Sequence, residues 1–228
     1  MTNRALSLFQ LCDSNFPNGA FSQSFGLETY IQNDIVHDRD SFYDWLHAYV
    51  HDQLVNADGL AARLAYEALE IEDMEKVWEL DHILTVQNLA KESRDGTERM
   101  GDRILSIAID IFGMDVLKTY KSRIKEKTSH GHPAVVFTMV GYHLGVDKET
   151  TILYYLYSTI VGLVQNAVRA IPLGQTNGQQ VIYRFQEELN IATETIMHLA
   201  EDEFGVISPG LELSQMQHEH VGIRIFSS

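Results

Sequence analysis

Apolar residues recur at three- and four-residue spacings along most of the chain, and no series of alternating strands or hairpin turns interrupts them. The pattern predicts an all-α protein. Leu6, Leu8, Phe9 and Leu11 suggest a first helix, broken by Asp13, Asn15, Pro17, Asn18 and Gly19, because proline lacks an N–H donor and asparagine and glycine accept turn geometry. A second helix is expected from near Ala20, with Phe21 and Phe25 one turn apart. Ser22, Gly26 and Thr29 would then form a strip of small residues where another backbone can come close. Asp40 or Ser41 is placed to cap a helix carrying Trp45, Leu46, Tyr49 and Leu54. Another runs from Asp58 through Leu60, Leu64 and Leu69, and the pattern continues over 72–90. Residues 94–112 carry Met100, Ile104, Leu105, Ile107, Ala108 and Ile111 at helical spacing, with Gly113 as the stop.

A polar, basic connection follows, and then two segments, 133–144 and 148–171, that are apolar almost all round, as expected of helices surrounded by others. Asp147 can cap the second. Ile171-Pro172-Leu173-Gly174 stops it, since proline opposes helical geometry in the residue before it. Thr176 and Gln179 have capping-box spacing for a helix reaching to about Phe204. With no internal repeat or low-complexity linker, residues 1–204 read as one multi-helix bundle. The segment 205–228 differs. Leu211, Leu213, Met216, Val221, Ile223, Ile225 and Phe226 would each contribute about 1.5–3 kcal/mol on burial, against roughly 1–2 kcal/mol per residue for ordering the backbone. Alone it is expected to be a flexible C-terminal tail. Two readings stand: it folds onto a partner protein, or it docks on its own body.

Composition narrows the classes. A chain of 228 residues can bury roughly three quarters of its unfolded surface without staples. The single Cys12 has no partner for an internal disulfide, which favours a reducing compartment. Met1-Thr-Asn-Arg lacks the features of a signal peptide, and the longest apolar stretch, 152–164, is too short to span a bilayer, so a soluble, cytoplasmic protein is expected. Thirty-two acidic residues against seventeen basic ones give a formal charge of -15, which repels a polyanion and argues against nucleic acid. The basic exception, Lys118, Lys121, Arg123, Lys125 and Lys127, reads as a solvated helix face or linker, or as a contact for an acidic protein.

Candidate chemistry is sparse. Gly96-Thr-Glu-Arg-Met-Gly101-Asp102-Arg103 has the glycine spacing of a phosphate loop, but Asp102 stands where that loop needs lysine, and the reversed charge excludes nucleotide. No Gly-x-Ser-x-Gly elbow or His-Glu-x-x-His pattern is present. His47 and His51 lie one helical turn apart, with Asp44 a turn before, and together could hold a divalent ion; an exposed polar face is the plainer reading. His130-Gly-His132 and His218-Glu-His220 come without the further ligands of a closed site. Arg169, ending an apolar helix, either bonds the last carbonyls or serves as an interface anchor. Phe16, Phe21, Phe25 and Tyr30 either seal the body or meet a partner.

Taken in order, several segments resemble the urease accessory protein UreF family: 8–28, Glu92-Ser-Arg94 followed by Gly101, Gly131-His132, Tyr155-Leu-Tyr-Ser158, 168–179, Met216-Gln-His-Glu219 and Arg224-Ile-Phe-Ser227. The resemblance implies an all-α, dimeric, non-catalytic assembly factor without a cofactor. Such a factor serves nickel insertion into the urease apoprotein, binds UreD (also called UreH) and recruits the GTPase UreG. It also implies that the C-terminal segment helps to bind UreD. The family has been likened to a GTPase-activating protein. The contact residues expected on this basis are Phe16, Phe21, Phe25, Tyr30, Arg169, Pro172, Gly174, Gln175, Met216, His218, Glu219, Arg224 and Phe226. Many relatives read Phe-Ser-His-Ser where this chain has Phe21-Ser-Gln-Ser24, so no metal ligand is expected there; an amide can still hydrogen-bond. The alternative is a small helical metal-binding protein or metalloenzyme using Asp44, His47 and His51.

Overall fold

A computed structural model of the chain describes residues 4–206 and 208–228, all of whose regular elements are helical. They are α1 (Arg4–Gln10), a 3₁₀ turn (Ala20–Ser22), α2 (Leu27–Gln32), α3 (Arg39–Tyr49), a π-helical continuation (Val50–Gly59), α4 (Leu60–Glu70), α5 (Met74–Gln87), α6 (Lys91–Phe112), α7 (Asp115–Lys125), α8 (Pro133–Leu144), α9 (Lys148–Ala170), α10 (Gln175–Arg184), α11 (Gln186–His198), a 3₁₀ turn (Glu201–Glu203), α12 (Pro209–Gln217) and a final 3₁₀ turn (His218–His220). No helix among the described residues is long and apolar enough to cross a membrane.

The core follows from the two all-round apolar segments. Pro133 to Gly141 of α8 are buried without exception, and α4, α6 and α9 pack around that helix. Asp147 caps α9, its carboxylate accepting from Thr150 N at 2.8 Å, and Gly145 and Gly113 close α8 and α6 with φ of 73° and 66°. Glycine also sets how closely α6 approaches the loop before α8. A Cβ on Gly101 would lie 1.6 Å from the carbonyl oxygen of Gly131. The glycines of the loop-like run 96–103 therefore serve helix packing inside α6.

Several local expectations are corrected. Asp38, not Asp40 or Ser41, caps α3; its carboxylate accepts from Ser41 N at 2.9 Å while the Ser41 hydroxyl accepts from Asp38 N at 3.1 Å. Phe21 and Phe25 do not share a helix, because the second helix starts only at Leu27. Phe21 sits in a 3₁₀ turn, and Phe25 takes a left-handed φ of 51°. No side chain caps α10, which follows Gly174 directly; the helix expected to reach Phe204 breaks at Phe185 and ends at His198. The basic connection is the helix α7, and three of its cations are engaged locally. Lys121 pairs with Asp102, Lys118 meets Asp115 at 2.8 Å, and Arg123 lies over the Trp78 ring at 4.8 Å.

Of the two readings of the tail, 208–228 adopts docking on its own body. The strip of small residues receives it. Thr29 Oγ1 donates to Ser214 O at 2.7 Å, and a Cβ on Gly26 would meet Ser214 Oγ at 2.3 Å. Polar bonds, beyond apolar burial, offset the entropy cost of ordering this segment.

Candidate functional site

Glu28 projects from the first turn of α2 into the interior, where its side chain is almost wholly buried. Its Oε1 accepts from Ile225 N at 2.6 Å, and Oε2 from Phe226 N at 3.1 Å. His218, fully buried, bonds that Oε2 through Nε2 at 2.9 Å and reaches Glu92 Oε2 through Nδ1 at 2.7 Å. The ring thus bridges the two glutamates, one at each nitrogen. Arg224 closes the set with a 2.7 Å bond from one terminal guanidinium nitrogen to Glu92 Oε1, while the other donates to Glu219 O. Buried carboxylates held by a ring of such partners meet the condition for keeping polar groups out of water. Burial pushes the Glu92 carboxyl up, but its hydrogen bonds from His218 and Arg224, with their charges, outweigh that and hold it below the ordinary carboxylate range.

The last residues pair with the opening segment. Ser227 N donates to Ser22 O at 2.8 Å, and Ser24 donates to Ser228 O from its N–H at 2.7 Å and its hydroxyl at 2.5 Å. The buried Asn166 of α9 ties the same turn down from below, donating to Gln23 O at 2.7 Å and Ala20 O at 3.2 Å. Gln23 itself is buried against Gly96, whose added Cβ would stand 2.4 Å from Gln23 Oε1. Above this floor the Arg169 guanidinium lies over the Phe21 ring at 3.4 Å and the Phe226 ring at 4.7 Å. A guanidinium between two aromatic faces is a favourable cation–π arrangement, and it joins α9, the N-terminal turn and the tail. Burial pushes the Arg169 pKa down, which nearby Glu28 partly counters.

The structure thus gathers Phe21, Arg169, His218, Glu219, Arg224 and Phe226 into one region, although His218 and Phe226 lie beneath its surface. Phe21 is 62% exposed. Pro172, Gly174 and Gln175 are exposed on the turn that follows α9, and Met216 is exposed on α12. Phe16 is buried in the core, which assigns it to sealing the body; Phe25 is half-buried; Tyr30, also half-buried, packs edge-on against Trp45 at 6.3 Å. The expectations missed Glu28, Ser24 and Asn166. Glu28 carried no signal of its own in the pattern, and the segments 8–28, 92–94, 216–219 and 224–227, noted separately, are the ones that meet here.

The candidate metal ligands divide differently from the expectation. Asp44 is exposed and does not join the histidines. The third group beside His47 and His51 is Glu188 of α11. His132 caps α8 by accepting from Ala134 N at 3.3 Å, and His130 lies between Glu98 at 3.0 Å and His82 at 3.1 Å.

Comparison with known proteins adds a second line of argument. The profile of the UreF family matches residues 36–186. The chain is 49% identical over 226 residues to the urease accessory protein UreF of Bacillus sp. (strain TB-90), covering 99% of this chain and 100% of that one. It is 50% identical over 228 residues to the urease accessory protein UreF of Lachnoclostridium phytofermentans (strain ATCC 700394 / DSM 18823 / ISDg), covering 100% of both.

Proposed function

Because this chain belongs to the UreF family of urease accessory proteins, we propose that it is a non-catalytic cytoplasmic scaffold for nickel insertion into apo-urease. In this role it binds UreD through its docked tail and so brings the GTPase UreG to the apoprotein, as a homodimer. Nickel is the cargo of the process.

The observation that carries this reading is the outward face of the tail. Leu211 and Phe226 anchor it inside, whereas Leu213, Met216, Ile223 and Ile225 remain exposed, Ile223 at 81%. Apolar side chains presented on a segment fixed by buried polar bonds suit a partner surface, because the ordering cost is already met before binding. Phe21 and Arg169 extend that face across the N-terminal turn, and aromatic residues and arginine are the types enriched in interface anchors. Pro172, Gly174 and Gln175 lie on the turn beyond Arg169 and are assigned to the same contact. Phe16, by contrast, contributes through packing.

Gel filtration of this chain with UreD tests the assignment. Removal of 208–228 is expected to abolish co-elution. Because truncation also uncovers Glu28, the paired substitution Ile223→Ser and Ile225→Ser is the sharper variant. It leaves the buried bonds in place and should weaken binding by about 2 kcal/mol or more if these residues are anchors. Unchanged co-elution of both variants would exclude the tail as the UreD contact.

A further inference from the structure

We propose that His47, His51 and Glu188 form a binding site for a single late first-row divalent cation, of the class of zinc or nickel. His47 lies in the last turn of α3 and His51 in the π-helical continuation, so the two imidazoles project from one continuous helix, with ring centroids 4.4 Å apart. Both direct Nε2 at the same carboxylate oxygen, Glu188 Oε2, at 3.5 Å from His47 and 3.1 Å from His51. The three donor atoms lie within 4.8 Å of one another, and no other group of three such donors occurs among the described residues. Ligand atoms around a tetrahedral zinc with bonds of about 2.1 Å stand roughly 3.4 Å apart, so both nitrogen–oxygen separations already match the edges of a coordination shell.

The carboxylate is held for this role. Glu188 belongs to the first turn of α11, where the helix dipole favours a negative charge. On the same helix as His47, the Tyr43 ring is covered by the Arg184 guanidinium at 4.0 Å. Two imidazoles and one carboxylate select zinc, nickel or copper over magnesium and calcium. The His47 side chain is 49% exposed, so the remaining coordination positions face solvent. Three protein ligands with an open side hold an ion that can exchange, unlike the closed four-ligand sites that stabilise folds. The other histidine pair, His82 and His130, lacks a third donor, because the second nitrogen of His130 is taken by Glu98. The scaffold role requires no such ion, and the site stands or falls apart from it.

Calorimetric titration of the untagged, metal-stripped full chain with zinc chloride and with nickel chloride decides the matter. Saturable binding of one ion per chain is expected. It should be lost in His47→Ala/His51→Ala and unchanged in His82→Ala/His130→Ala. His47→Ala alone, at an exposed position, supplies a variant that leaves the fold intact. Absence of saturable binding of either ion, or equal binding in the His47/His51 variants, would overturn the proposal.

Discussion

Glu28→Ala is expected to lower stability by about 3 kcal/mol and to free the tail, because removing the acceptor leaves several buried donors without a partner. The carboxylate accepts from His218 and from two backbone N–H groups, Ile225 and Phe226, at 2.6 to 3.1 Å. Alanine offers none of these acceptors, and its side chain is too small to exclude water from the space it leaves. Urea unfolding reads the stability loss, and hydrogen exchange at the amides of Ile225 and Phe226 reads the release. Exchange as slow as in the unmodified chain would show that the tail is held by its apolar contacts instead. The same group of residues sets the acid response. The folded-state pKa of Glu92 lies below its ordinary value of 4.5, so its contribution is present in full above pH 4.5 and is lost as pH falls through the lower folded-state value. The protection of the tail amides, measured relative to the intrinsic exchange rate at each pH, should therefore fall on acidification over that window. The Glu92 contribution does not change on the alkaline side.

Gly101→Ala is the second change with a large expected effect. The added Cβ would lie 1.6 Å from Gly131 O, 2.8 Å from Gly131 C and 3.1 Å from Pro133 N, all backbone atoms. They have little room to retreat. The buried Asp81 carboxylate pins this loop by accepting from His130 N at 2.7 Å, Gly131 N at 3.0 Å and His132 N at 2.7 Å. Better helix propensity of alanine over glycine returns about 1 kcal/mol, while overpacking of this kind costs about 3 kcal/mol or more. The net loss should exceed 2 kcal/mol by these magnitudes, visible as a lower thermal midpoint. Since α6 also carries Glu92, displacement of that helix should loosen the tail as well. A midpoint equal to that of the unmodified chain would mean that α6 can shift freely over the loop.

The elements read best from sequence were those whose signal is local. Residues 133–144 are helix α8 as expected, since an all-round apolar segment bounded by Pro133 and Gly145 has few other ways to satisfy its backbone. Asp147 was legible for the same reason: the capping side chain and the N–H it serves are three residues apart. Asp38 was missed because Asp40 and Ser41 offer equally good capping chemistry within three residues, and only their reciprocal bonding distinguishes the true pair. The π-helical continuation at Val50–Gly59 shares its apolar spacing with an ordinary helix and leaves no mark in the pattern. Longer-range relations were beyond local reading. His218 and Glu28 are 190 residues apart and His51 and Glu188 are 137 apart. Local patterning thus showed Asp44 as the third neighbour of the histidines, where the fold supplies Glu188.

The proposed role of this chain in nickel insertion is tested most directly by reconstituting urease activation from the urease apoprotein, UreD, UreG, nickel, bicarbonate and GTP, with and without this chain. Urease activity is expected to appear with the intact chain, to stay at background without it, and to fall toward background when Ile223→Ser and Ile225→Ser are introduced together. Equal activity in the presence and absence of the chain would contradict its assignment as the scaffold.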